Sequence, residues 1–118
     1  MSSIGIYKET AITTQTPGRL IVMLYDGAIK FLKLAIKEIE AKNPEAKGNY
    51  ISRAIDILFE LNAVLDMEAG GEVAMNLRKL YFFMSRHLTQ ANIKQDTGKI
   101  EEVIGLLEEL NQSWKAIT

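Results

Sequence analysis

Three short interruptions, KNPEAKGN, EAGG and QDTG, cut one apolar rhythm into four segments. Pro44, Gly48 and the Gly70–Gly71 pair punctuate the first two breaks, because proline and glycine disfavour a helix interior. Asp96 in the third is a suitable N-cap. Between the breaks apolar residues recur every three or four positions, the period of one helix face. The pattern predicts helices from Pro17 to about Ala41, Tyr50 to about Met67, Glu72 to about Lys94 and Thr97 to about Ala116. Thr16 suits the cap of the first and Pro17 its first turn, where a missing N–H is harmless. No Val/Ile-rich alternating segment reads as a strand. Helices of about 18–25 residues joined by short turns make antiparallel neighbours, so the expected fold is an all-α, up-down four-helix bundle. Residues 1–15 are Ser/Thr/Gly-rich with isolated Ile4, Ile6 and Tyr7, and read as an N-terminal arm or cap. Residues 16–118 then form the bundle as a single domain.

Composition narrows the function more than the fold. A formal net charge of −1 offers no basic field for nucleic acid or an acidic membrane surface. The absence of cysteine excludes a disulfide framework, a thiol nucleophile and thiolate metal sites, and is compatible with a reducing cytoplasm. No apolar run approaches the ~20 residues of a membrane span. MSSIGIYKETAITTQ lacks a basic start and a long apolar stretch, so no secretion signal is expected.

LIVMLYD, Leu20 to Asp26, sets six apolar residues in a row, and a helix turns far enough in six residues to show them on every side. Wheel projection resolves two stripes. Leu20, Met23, Leu24, Phe31 and Leu34, with Gly27, Ala28 and Ala35, form one, assigned to the bundle interior. Ile21, Tyr25, Ile29, Leu32 and Ile36 form a second. Asp26, Lys30, Lys33 and Lys37 make the single polar stripe, and Val22 stands at its edge. On the third helix Val73, Leu77, Leu80, Tyr81, Met84, Leu88 and Ala91 make a core face, while Met75, Phe82, Phe83 and Ile93 fall outside it. On the second, Ile57, Val64 and Phe59 flank a core of Ile51, Ala54, Ile55, Leu58, Leu61 and Leu65. The fourth has a plain stripe of Ile100, Val103, Ile104, Leu107, Leu110 and Trp114. Contiguous exposed apolar groups invite association, so the surplus predicts a covering partner. A second copy, the N-terminal arm and a client helix are the three candidates.

Chemistry finds little support. DTGKI lacks the full phosphate-loop pattern and follows no strand. A di-iron bundle needs Glu-x-x-His, and Met84 stands three residues before His87, the only histidine. One histidine without cysteine offers no zinc set and no triad. No enzyme activity, metal or cofactor is expected. His87 on a helix leaves open a histidine phosphotransfer reading, although LTQAN after it lacks the lysine and glycine usual there.

TPGRLIVMLYDGAIKFLKLA, LDMEAGGEVAMNLRKLYFFM, LTQANIKQD and LLEELNQSW, in this order, resemble the flagellar secretion chaperone family FliS. Tyr7 matches a tyrosine common in the family's arm. The matched positions further include Leu24, Tyr25, Asp26, Gly70, Gly71, Leu80, Tyr81 and Trp114. The resemblance implies a helical bundle with an N-terminal cap, acting in the cytoplasm as a non-enzymatic chaperone. It implies binding to the C-terminal segment of flagellin, protection from premature polymerisation, and delivery to a flagellar export gate component. The groove residues expected for that client are Ile6, Tyr7, Ile21, Tyr25, Ile29, Ile57, Val64, Met75 and Phe82. A homodimer that buries the second stripes on itself, without membrane insertion or nucleic acid, is the remaining alternative.

Overall fold

The computed structural model describes residues 17–117. Four helices follow one another: α1 Pro17–Glu40, α2 Pro44–Ala63, α3 Met67–Lys94 and α4 Thr97–Ile117. Each packs on its chain neighbours, and α1 also packs on α4, which closes the ring of an up-down bundle. There is no strand among the described residues. The expected Thr16 cap and the arm lie outside them.

Local chemistry fixes the boundaries. Pro44, read as a breaker, instead occupies the first turn of α2, and the Asn43 side chain accepts from the Ala46 N–H at 3.5 Å. Proline has no N–H to leave unpaired there, so α2 starts six residues earlier than Tyr50. It ends at Ala63 rather than Met67, and α3 starts at Met67, with Asp66 Oδ1 accepting from the Ala69 N–H at 2.9 Å. EAGG is therefore a capped helical turn, yet the break survives inside it: Gly71 has φ 54° and ψ −128°, a conformation natural only to glycine. Helix α1 stops at a left-handed Lys42 (φ 59°), with Asn43 N–H donating to Glu38 O and Lys42 N–H to Ile39 O. Those two bonds are the Schellman pattern. Gln95 (φ 52°) also ends α3 in the left-handed region, with its own N–H and that of Asp96 both reaching back to Ala91 O.

The core corrects the reading of α1. Its fully buried positions are Tyr25, Ala28, Leu32 and Ala35, which draw on both stripes. Leu24, Phe31, Ile21, Ile29 and Ile36 pack beside them. A helix gripped by α2 on one flank and α4 on the other buries a broad arc, so the second stripe is interior. Tyr25, expected to face a client, has no exposed surface, whereas Met23, expected to hold the bundle, is 50 % exposed. Val73, assigned to the core of α3, is 68 % exposed. The remaining core comes from Ile51, Ala54, Leu58 and Leu61 on α2, Ala74, Tyr81, Met84, Leu88 and Ala91 on α3, and Ile100, Val103, Ile104 and Leu107 on α4. Alanines among the larger side chains let the helices approach closely. At Gly27 an added Cβ would stand 3.4 Å from Ile57 Cδ1, so Ile57 packs directly against the α1 backbone in the α1–α2 seam.

Polar groups close the seams. Lys47 is buried among them, its stem covered and its Nζ donating to Asn92 O at 2.9 Å, near the carbonyl-rich end of α3. Asn111 donates to Asp26 Oδ1 at 2.7 Å across α1–α4, and Lys115 and Lys33 pair with Asp26 and Glu108 at the surface. Such exposed pairs are worth about 0–1 kcal/mol each.

Candidate binding site

Up-down topology brings the start of α1, the end of α2, the start of α3 and the end of α4 to one end of the bundle. A cleft of about 330 Å³ opens there. Ile21 comes from α1, Leu61 from α2, Val64 and Leu65 from the turn, Val73 and Leu77 from α3, and Trp114 from α4. Ala69 and Gly70 line it before the Gly71 bend and Ala74 after it, so the bend shapes one wall. A Cβ at Gly70 would come within 2.6 Å of the Ala74 side chain, which favours glycine at that wall. Asp66 is the one charged lining residue, and its carboxylate is engaged as the α3 cap.

Tyr81 lies at the cleft and reaches inward. Its hydroxyl meets that of Tyr25 at 2.6 Å, and the rings sit edge to face with centroids 6.4 Å apart. The pair joins α1 to α3, helices that face each other diagonally. Burial pushes the Tyr25 hydroxyl above the ordinary phenol range, against hydrogen bonds from Tyr81 and the Trp114 indole that favour its ionised form. Burial, followed by the bond to Tyr25, pushes Tyr81 well above it too. Both stay neutral near pH 7, and the polar pair anchors an otherwise apolar floor.

The residues expected to form one groove are dispersed. Ile21 and Val64 do meet in the cleft. Phe82, 38 % exposed, belongs to a wider trough of about 670 Å³ on the outer α2–α3 seam, with Ile55, Phe59, Ser85, Arg86, Thr89 and Gln90. Ile29 borders the polar stripe of α1 beside Lys30, Lys33 and Lys37. Ile57 is half-buried against α1. Met75 is exposed and lines neither the cleft nor the trough. Tyr25 is core, and Ile6 and Tyr7 lie outside the described residues. Val73, Leu77 and Trp114 were given to the core by their wheel positions. The missed signal was their place near helix ends that up-down connectivity brings together, where no further turn covers an apolar stripe.

No catalytic arrangement accompanies the cleft. His87 Nε2 lies 2.6 Å from Glu102 Oε2 and its ring stacks on Phe83, so that nitrogen is already engaged. Among the described residues no group of three His, Cys, Asp or Glu could hold a metal ion, and no helix is long and apolar enough to cross a membrane. The site suits an apolar peptide segment.

Comparison with known proteins points to one family. The family model described as flagellar protein FliS matches residues 2–118. The flagellar secretion chaperone FliS of Salmonella typhimurium is 45 % identical over 111 residues, 93 % of this chain and 82 % of its own. That of Bacillus subtilis is 38 % identical over 109 residues, 92 % of this chain and 80 % of its own. That of Vibrio cholerae is 34 % identical over 119 residues, 98 % and 88 % of the two chains.

Proposed function

The chain belongs to the FliS family of flagellar proteins, and from that premise we propose that it is a flagellar secretion chaperone whose client is flagellin. It holds the C-terminal segment of unassembled flagellin, prevents premature polymerisation in the cytosol and presents the client to a component of the flagellar export gate. The observation that carries this reading is the apolar cleft at the bundle end, walled by Ile21, Val64, Val73, Leu77 and Trp114 with its one carboxylate engaged elsewhere. A disordered amphipathic segment orders as its apolar face enters such a cleft, and water leaves both surfaces.

A pull-down with full-length flagellin and with flagellin lacking its last ~40 residues, enough for a long helical segment at ~1.5 Å per residue, tests this. A one-to-one complex with the full-length client and loss of capture with the truncated one is the expected result. Equal capture of both, or of neither, overturns it. An obligate oligomer in sedimentation, without flagellin affinity, would instead favour the self-associating bundle.

A further inference from the structure

Two adjacent glycines stand near the start of α3, and the bend there requires both. Gly71 holds φ 54° and ψ −128°, a conformation that L side chains rarely adopt. At Gly70 an added Cβ would stand 2.6 Å from the Ala74 Cβ. In an unbroken helix the Cβ atoms of residues four apart are about 5–6 Å from each other, so straightening would remove that clash. A straight α3 would also favour alanine over glycine at either position. Glycine is therefore obligatory at both positions in the bent form and at neither in the straight one.

The turn before the bend can move as a unit. Asp66 Oδ1 accepts from the Ala69 N–H at 2.9 Å and Asp66 O from the Gly70 N–H at 2.8 Å, so its capping bonds are internal. Among the described residues no side-chain hydrogen bond or ion pair ties residues 66–70 to another helix. Residues 68–73 are all exposed, and of their neighbours Leu65 and Met67 are only half-buried. A segment with so few buried contacts opens at small cost. An added Cβ at Gly71 meets nothing within 4 Å, so the pivot itself is surrounded by open space. The same turn nevertheless supplies Asp66, Ala69 and Gly70 to the cleft, whose opposite walls, Ile21, Leu61 and Trp114, belong to the other three helices.

We propose that residues 66–70 form a hinged flap on the cleft. It pivots at Gly71 between the bent form, in which it lines the mouth, and a straight α3, in which the turn stands in line with the helix and the mouth widens. Straightening restores the backbone bonds of an unbroken helix and gives up the flap's contacts in the cleft, so two modest terms oppose each other. A ligand that fills the cleft in place of the flap selects the straight form. The hinge stands on the geometry of the cleft; its use in admitting a client rests on the function proposed above.

Trp114 is the only tryptophan and lines the cleft, so acrylamide quenching of its fluorescence reads the opening in the free protein. Gly71→Ala and Gly70→Ala should each raise the quenching constant about twofold and strengthen the helical circular dichroism, with a thermal melt that stays cooperative. Gly71→D-Ala, made by semisynthesis, favours the bent form, because the mirror image of this conformation lies beside the β region of L-residues. It should lower quenching below that of the wild type. Wild-type quenching and helicity in folded alanine variants would overturn the hinge. Raised quenching with reduced helicity, the mark of unfolding, would overturn it too. If neither alanine variant folds, Gly71→D-Ala decides: quenching below the wild type supports the hinge, and equal quenching overturns it. Titration of a flagellin C-terminal fragment into the same proteins keeps the two readings apart. Faster association with the alanine variants extends the hinge to the client, whereas no binding by any of them removes the client assignment and leaves the hinge to be decided by quenching.

Discussion

The Tyr25 and Tyr81 hydroxyls meet across the bundle, both rings almost fully buried, and Tyr25 is the hydroxyl on which Tyr81 depends. Tyr25→Phe leaves a buried hydroxyl without its partner and should destabilise by about 1–3 kcal/mol. The double change Tyr25→Phe/Tyr81→Phe removes both polar groups and should be less destabilising than the sum of the single changes. Urea unfolding of the three variants measures this, and strict additivity would argue against the coupling. The pair also carries a pH dependence. Both hydroxyls titrate above their unfolded value in the fold, so the pair's contribution is intact below pH ~10. Above that the unfolded chain releases protons that the fold retains, and stability falls as pH rises. The double phenylalanine variant should lose stability less steeply over the same alkaline range. Lys42 makes the opposite case of an unsuited side chain. It holds φ 59° at the end of α1, where glycine carries no Cβ penalty, and Lys42→Gly should stabilise by about 1 kcal/mol. An unchanged urea midpoint would mean that the cap tolerates lysine at no expense.

At the scale of the element, α3 is the helix that does not follow its own periodicity. Gly71 bends it after its first turn, and the two sides of the bend line the cleft. An added Cβ at Gly71 meets no atom within 4 Å, so the effect of Gly71→Ala is one of backbone conformation alone. It should lower stability by about 1–3 kcal/mol. If the chain escapes by straightening, client affinity should change as the wall moves; a variant with wild-type stability and affinity would show that the bend is dispensable. The same helix holds most of the large exposed apolar groups: Val73, Met75, Phe82, Phe83 and Ile93. Helix α1, whose apolar run first suggested a client face, exposes only Met23 among its large apolar side chains. Its flanks are covered by α2 and α4, and the demand for a partner passes to α3.

For the whole molecule this changes which substitutions separate binding from folding. Tyr25→Ala, on a helix face once assigned to a client, should now unfold or loosen the bundle, because it empties a fully buried site and costs roughly 3–5 kcal/mol, as truncation of a large core aromatic does. Phe82→Asp alters an exposed position and should leave helicity and melting temperature near those of the wild type while weakening the client complex. Thermal melts followed by circular dichroism, with a binding titration on each variant, distinguish the two. A Phe82→Asp protein that unfolds would show that the outer seam is structural.

Helix number, all-α class and antiparallel order were legible in the chain itself, because apolar period and turn residues act locally and each break carries its own mechanism. Family membership was legible too, carried by LYD, the glycine pair, the Leu80–Tyr81 step and Trp114 in order. The breaks themselves were less secure: Pro44 is a first-turn residue of α2, which only its Asn43 cap reveals. Which face of each helix is inside was beyond the single wheel. Burial is a property of neighbours, and α1 has two, so an arc that looks excessive on one helix is ordinary between α2 and α4. The cleft likewise depends on four helix ends that are distant in the chain and adjacent only after folding. Residues such as Val73 and Trp114 share core periodicity with their helices and differ in one respect, that the bundle stops beside them.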